Sequence, residues 1–261
     1  MGCVLEIFYE CCNSKKKNNN RNNNEQAGKE FELDLIKDFE NKNNKNHFSN
    51  IYESRIGFVN LGASCYMASI LQILIHLRSF IEKFRSKGKR SKNSLSKLFN
   101  ELIDKIIRAN YSIEISNFAN EYMKINSKFS GKHGNNPMTF FTEFINKLGE
   151  ENKDILDLFT IINYIKFQGL DENDYEEKLF FYMITLDNNI KYIRNAINKE
   201  KEMEEDKNIK IIERITLKPE IFIINLQVED IEYNFEEKIF IDKTKYDLKA
   251  INEYNNSHST A

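Results

Sequence analysis

Residues 57–77, GFVNLGASCYMASILQILIHL, constrain this chain more than any other stretch. Asn60, Gly62, Ala63 and Ser64 predict a tight turn of small residues. After it Ile70, Leu71, Leu74, Leu77 and Ile81 recur at helical spacing. Ile73, Ile75 and Phe80 add apolar residues elsewhere, so the helix is apolar on most sides and needs a core around it rather than beneath it. Cys65 stands where the turn gives way to the helix. A thiol there meets unpaired backbone N–H groups and the positive end of the helix dipole, and both favour the nucleophilic thiolate. The turn can aim further donors at a developing oxyanion. These residues alone leave a second reading open, a buried structural cysteine, because free Cys packs as a small hydrophobe.

A chain of 261 residues, 41% of them hydrophobic, can enclose such a helix, as one domain plus a tail or as two small domains. A formal net charge of −2 gives no general case for nucleic-acid binding. The apolar run after Cys65 is interrupted by His76 and Arg78, short of a membrane span. The N-terminus lacks the basic and apolar regions of a secretory signal. Adjacent Cys11 and Cys12, with Cys3 and Cys65, do not read as a disulfide framework, and no CxxC pair exists to build a zinc site. A reducing compartment is expected, the cytoplasm or the nucleus.

Residues 1–48 read as a low-complexity leader, with a domain over residues 49–261. The opening MGCVLEIFYECC offers Gly2 for myristoylation and Cys3, Cys11 and Cys12 for palmitoylation. Glu6 stands where the myristoylation pattern wants Ser or Thr, so an irregular segment is expected rather than a membrane anchor. The Asn/Lys tract that follows cannot bury a core. A short helix is expected within residues 29–46.

Downstream, Leu95, Leu98, Phe99, Leu102, Ile103, Ile106 and Ile107 predict an amphipathic helix, and residues 116–122 a further one. The turn-rich SGKHGNNP leads to Pro137, which can open a helix carrying Phe140, Phe141, Phe144, Ile145 and Leu148. Strands are expected over residues 161–167, 179–185, 209–217 and 221–226, and in KIFID and YDLKAINEY. Residues 200–207, EKEMEEDK, read as a charged helix end or loop.

The string around Cys65 resembles the cysteine box of the ubiquitin-specific proteases, papain-like deubiquitinating enzymes. Gly57, Asn60, Leu61, Gly62, Cys65, Tyr66, Met67, Ser69, Leu71 and Gln72 carry the resemblance, and Ala68 departs from it. The resemblance implies that Cys65 is the nucleophile and that Asn60 supplies an oxyanion-hole donor. Glu143-Phe144 is similar to the end of the family's acidic box, although Phe140 stands where an Asp is usual. It implies that Glu143 helps to hold the basic tail of the substrate.

A cysteine nucleophile needs a base within hydrogen-bond reach. His76 lies about three turns along the helix of Cys65, His47 in the polar leader and His133 in a Gly-rich turn. His258 belongs to a segment similar to the family's histidine box, matched by Tyr246, Leu248, Ala250, Ile251, His258, Thr260 and Ala261, with Ser257 for Gly and Ser259 for Tyr. The resemblance implies that His258 is the base. Three residues follow it, so the Asp or Asn that orients the imidazole in relatives has no counterpart here, and the expected catalytic domain is C-terminally incomplete.

The fold implied is α+β. A helical thumb packs on an antiparallel β palm, beside a reduced, zinc-free fingers lobe. The activity implied is cysteine-dependent hydrolysis at the C-terminal glycine of ubiquitin or a ubiquitin-like protein, with no cofactor. The alternative is a catalytically inactive ubiquitin-binding or scaffold module of the same fold.

Overall fold

The computed structural model describes residues 3–11, 56–59, 64–88, 94–129, 135–168, 174–186, 192–193, 197, 201–202, 210–228, 235–241, 243–255 and 258–260. The apolar stretch after the turn forms α1 (Cys65–His76), and α2 (Arg78–Gly88) follows across a single extended residue, Leu77. Ile70, Leu71, Leu74 and Ile75 of α1 have no exposed surface, as a helix apolar on most sides requires. Around them lie α3 (Ser94–Arg108), α4 (Ser116–Ile125) and α5 (Pro137–Glu151). Pro137 opens α5 where its missing N–H is not needed, and the Asn136 side chain accepts from the Thr139 N–H at 3.0 Å. Asn152 ends α5 and caps α6 (Lys153–Asp157), donating its own N–H to Leu148 and accepting from that of Asp154.

Aromatic rings knit this helical layer together. Phe99 meets Phe84 at 5.0 Å and Phe144 at 5.2 Å, both edge to face, and Tyr122 meets Phe140 at 5.3 Å. Two short strands, β2 (Phe58–Val59) and β3 (Ile113–Glu114), pair in parallel at the edge of the layer.

Two sheets make up the rest. The first joins β4 (Ile161–Gln168), β5 (Tyr175–Leu179), β7 (Lys201–Glu202) and β8 (Lys210–Leu217) in the order β5-β4-β8-β7, all antiparallel. It corresponds to the expected small fingers lobe. The second is the palm. It contains β1 (Cys3–Cys11), β6 (Tyr182–Leu186), β9 (Ile221–Val228), β10 (Lys238–Ile241), β11 (Thr244–Asn255) and β12 (His258–Thr260). Its order is β10-β11-β1-β9-β6, with β12 also on β11. At its centre the palm is buried on both faces. Ile221 and Ile223 of β9 enter the core shared with the helices, and Phe222, Ile224 and Leu226 enter a second core on the opposite face.

Four expectations are corrected. Residues 3–11 are not part of a leader: they form β1, the middle strand of the palm, paired with β9 and β11. Such a strand is buried on both faces, so it lacks the polar alternation that marks a strand in a sequence. The remainder of the expected leader, including the helix within residues 29–46, lies outside the described residues. The single strand expected over residues 179–185 is broken at Phe180 and Phe181, which pack toward the helical core while the chain crosses from one sheet to the other. Lys201–Glu202, expected in a helix end or loop, pairs with β8 as a charged edge strand. The palm is not wholly antiparallel, since β6 runs parallel to β9. Among the described residues, no helix is long and apolar enough to cross a membrane, and no cluster of three or more His, Cys, Asp or Glu is arranged to hold a metal.

Candidate active site

Cys65 is the first residue of α1. The Ser64 carbonyl accepts from the N–H groups of Met67, at 3.1 Å, and Ala68, at 2.9 Å, so the helical ladder starts at the cysteine. The Ser64 side chain makes no capping bond, and its buried Oγ has no partner among the described residues. Cys65 is a free thiol, 8% exposed, on the rim of the core.

Tyr66, the next residue of the helix, is buried in the core. Its ring lies 5.8 Å from Phe140, edge on, and 6.0 Å from Phe129, stacked. Burial pushes the Tyr66 phenol up, a hydrogen bond with the Asn135 side chain offsets part of this, and the neighbouring thiol adds to the rise. The phenol is therefore neutral at physiological pH. Phe140, which departs from the acidic-box pattern, has no exposed surface and belongs to this packing.

α1 packs against β11 and β12. His258 opens β12 and pairs with Asn255, Ser259 pairs with Tyr254, and Thr260 with Glu253. The fold thus brings the helix that begins at Cys65 together with the strand that begins at His258. His76 sits at the other end of α1, its Nδ1 2.7 Å from the Gln72 carbonyl. At about 1.5 Å per residue it is roughly 16 Å along the axis from Cys65. His47 and His133 lie outside the described residues.

Asn60 also lies outside them, but both flanks of its segment are tied down. The Gln72 side chain donates to the Ile56 carbonyl at 3.0 Å, Ile113 donates to the Gly57 carbonyl at 3.1 Å, and α1 starts at Cys65 on the other side.

Glu143 projects from α5 into a local ion pair. Lys128 Nζ donates to its Oε1 at 2.9 Å and Asn126 Nδ2 to its Oε2 at 3.4 Å. The Lys128 hydrogen bond and charge, with smaller help from Asn126 and Lys147, hold the Glu143 carboxyl below the usual range against a contribution from burial. The pair is half-exposed. A carboxylate expected to receive a basic tail is therefore already engaged by a lysine of the same chain.

Sequence reasoning passed over Lys128 and Glu10. Lys128 lies in a one-turn helix, Ser127–Phe129, that only the fold sets beside α5. Glu10 read as a polar residue in an irregular opening. It is buried, and its Oε1 accepts from the N–H and Oγ of Ser79 at the start of α2.

No curated protein sequence matches the chain. Among solved structures, it is similar to the SAGA Ubp8/Sgf11/Sus1/Sgf73 DUB module bound to ubiquitin aldehyde. The TM-score there is 0.50 at 19% identity, over 68% of this chain and 48% of that one. It is also similar to the SAGA DUB module with an alanine-for-cysteine variant of Ubp8, bound to monoubiquitin, with a TM-score of 0.55 at 14% identity over 87% and 71% of the two chains. This chain thus spans about half the length of the first of these. At such identities the likeness speaks for the fold. The family model described as ubiquitin carboxyl-terminal hydrolase matches residues 56–259, from the segment before the turn through the strand of His258. The chain belongs to the ubiquitin carboxyl-terminal hydrolase family.

Proposed function

We propose that the chain is a cysteine-dependent deubiquitinase, hydrolysing the isopeptide, peptide or thioester bond at the C-terminal glycine of ubiquitin. The observation that carries this reading is the packing of α1, which starts at Cys65, against the β11–β12 pair, in which β12 starts at His258. The family match over residues 56–259 and solved neighbours bound to ubiquitin or ubiquitin aldehyde support the substrate class.

In this mechanism Cys65 Sγ attacks the glycine carbonyl carbon as His258 takes the thiol proton. The Asn60 side chain and backbone N–H groups at the start of α1 hold the oxyanion of the tetrahedral intermediate. Collapse of the intermediate breaks the C–N bond. His258 returns its proton to the leaving amine, leaving a thioester on Cys65. Water, deprotonated by His258, then attacks the thioester and frees the thiol. No step calls on a cofactor. Glu143 receives the basic tail of ubiquitin, in competition with Lys128.

The test is labelling by ubiquitin that carries an electrophilic C-terminal warhead, with Cys65→Ala and His258→Ala alongside. An adduct that Cys65→Ala abolishes and His258→Ala slows is expected. Ubiquitin binding without an adduct would replace this reading with the inactive binding module. Neither binding nor adduct would remove ubiquitin as the partner.

A further inference from the structure

The middle strand of the palm comes from the far N-terminal side of the sequence, separated from β2 by residues 12–57. β1 pairs with β9 from Cys3 to Glu10 and with β11 from Val4 to Cys11. Its side chains reach into both cores. Phe8 is fully buried, edge-on to Phe141 of α5 at 6.1 Å. Tyr9 is fully buried on the opposite face and donates to the Glu236 carbonyl at 3.0 Å. Glu10 reaches the start of α2, at 2.7 Å from the Ser79 N–H and 2.5 Å from its Oγ, where a carboxylate also meets the positive end of the helix dipole.

The registers place this strand behind the β11 segment that carries Ser259 and Thr260 of β12. Glu253 of β11 pairs with Thr260 of β12 on one edge and with Leu5 of β1 on the other. Tyr254 pairs with Ser259 on one edge and with Val4 on the other. Two of the three residues of β11 that hold the histidine strand, Glu253 and Tyr254, are thus themselves held by β1, and Asn255, the partner of His258, follows directly after them. β12 has three residues and pairs with no other described strand, so its position relative to α1 is set by β11.

We infer that β1 is a positioning element for the Cys65–His258 pair, so that the reactivity of the site depends on the N-terminal strand being docked. The inference rests on the function proposed above. Without β1, β11 and β9 lose a shared ladder whose N–H and C=O groups need partners, and β12 loses its backing while Cys65 stays on a helix packed by the rest of the helical core. A displacement of about 1 Å between reacting groups is enough to slow a reaction about a hundredfold.

The test uses the full chain with a protease recognition sequence in place of residues 18–24, cut after folding. The N-terminal fragment is expected to co-elute with the remainder, with warhead labelling at the uncut rate. In graded urea, labelling is expected to fall about a hundredfold as the fragment is released, before the helical circular dichroism signal is lost, and to return when a synthetic peptide of residues 1–13 is added. The same peptide with Glu10→Lys is expected to restore less. Labelling that persists at the uncut rate after release overturns the inference. Release only together with the helical signal also overturns it, since β1 is then an ordinary core strand. An uncut chain that does not label removes the proposed function, and this inference with it.

Discussion

Replacing Glu10 by alanine tests the contact that ties the N-terminal strand to the helices. The Glu10 side chain is 11% exposed, accepts both Ser79 bonds through Oε1, and has Oε2 4.0 Å from Lys249 Nζ. A hydrogen bond to a charged group contributes roughly 1.5–3 kcal/mol, and a carboxylate at a helix N-terminus about 0.3–1 kcal/mol more. Two donors share one oxygen, so their contributions do not simply double. The expected loss for Glu10→Ala is about 3 kcal/mol, because the half-buried Ser79 N–H is left without its acceptor. Glu10→Gln keeps an acceptor but drops the charge, and should lose about 1 kcal/mol. Ser79→Ala removes only the Oγ donor, for a loss of about 1 kcal/mol. Urea unfolding of the two alanine variants and their combination, at unchanged m-value, gives the coupling, expected near 1 kcal/mol for groups in direct contact. A coupling below about 0.3 kcal/mol, or a Glu10→Ala loss below about 0.5 kcal/mol, would refute the argument. It would mean that the carboxylate is solvated in solution and that α2 starts without it.

Three further outcomes are expected. Lys128→Gln frees Glu143, so the ubiquitin-warhead concentration giving half-maximal labelling should fall about two- to fivefold, more at low salt than at high salt. Stability should change by under about 0.5 kcal/mol because the pair is half-exposed; an unchanged concentration would take Glu143 out of substrate binding. At Gly149 in α5, an added Cβ would stand 2.3 Å from Leu156 Cγ and 2.6 and 2.7 Å from its methyl carbons. Overpacking of about 1–3 kcal/mol should outweigh the roughly 1 kcal/mol that alanine gains in helix propensity, so Gly149→Ala should lower the urea midpoint and Leu156→Ala should suppress that effect. Burial raises the phenols of Tyr9, Tyr122 and Tyr246 well above their ordinary value of 10.0. The folded state holds these protons more tightly than the unfolded chain. Stability from this source is intact below pH 10 and falls as pH rises beyond it, by up to about 1.4 kcal/mol per pH unit for each tyrosine. Absorbance titration should therefore show at least these three of the twelve tyrosines ionising only as circular dichroism is lost, and their ionisation in a native spectrum would contradict the burial argument.

The parts of the site that could be read in the sequence are those whose signal is local. α1 announces itself because a helix enclosed on most sides must be apolar on most sides, and Cys65 is marked by the small-residue turn before it. α5 is legible from Asn136-Pro137 and its phenylalanines, and β9 from the apolar run Ile221, Phe222, Ile223 and Ile224. Where the decisive partner is distant, the signal fails. Glu10 looks like a residue that breaks a buried strand, and it is tolerated only because Ser79 and the start of α2 arrive beside it through the fold. Glu143 looks free until a separate turn delivers Lys128. The crossing at Phe180 and Phe181 continues a plausible strand pattern, and which sheet receives each half is decided by the partners of β4 and β9.

The same division runs through the proposed chemistry. Cys65 and His258 sit in short strings that can be recognised one at a time. What sets their two elements together is a ladder from β1 through β11 to β12, with pairings more than 240 residues apart in sequence, such as Val4 with Tyr254. Contacts so distant form only after a large loss of chain entropy. If β1 docks last, the helix of Cys65 can be packed in its own core before the histidine strand is in place. Competence of the site would then lag behind folding of the helices. In refolding from urea, helical circular dichroism should recover ahead of warhead labelling, and an added peptide of residues 1–13 should shorten the interval in the chain cut within residues 18–24. Simultaneous recovery of the two signals would show that the site and its helical support form in one step, and the N-terminal strand with them.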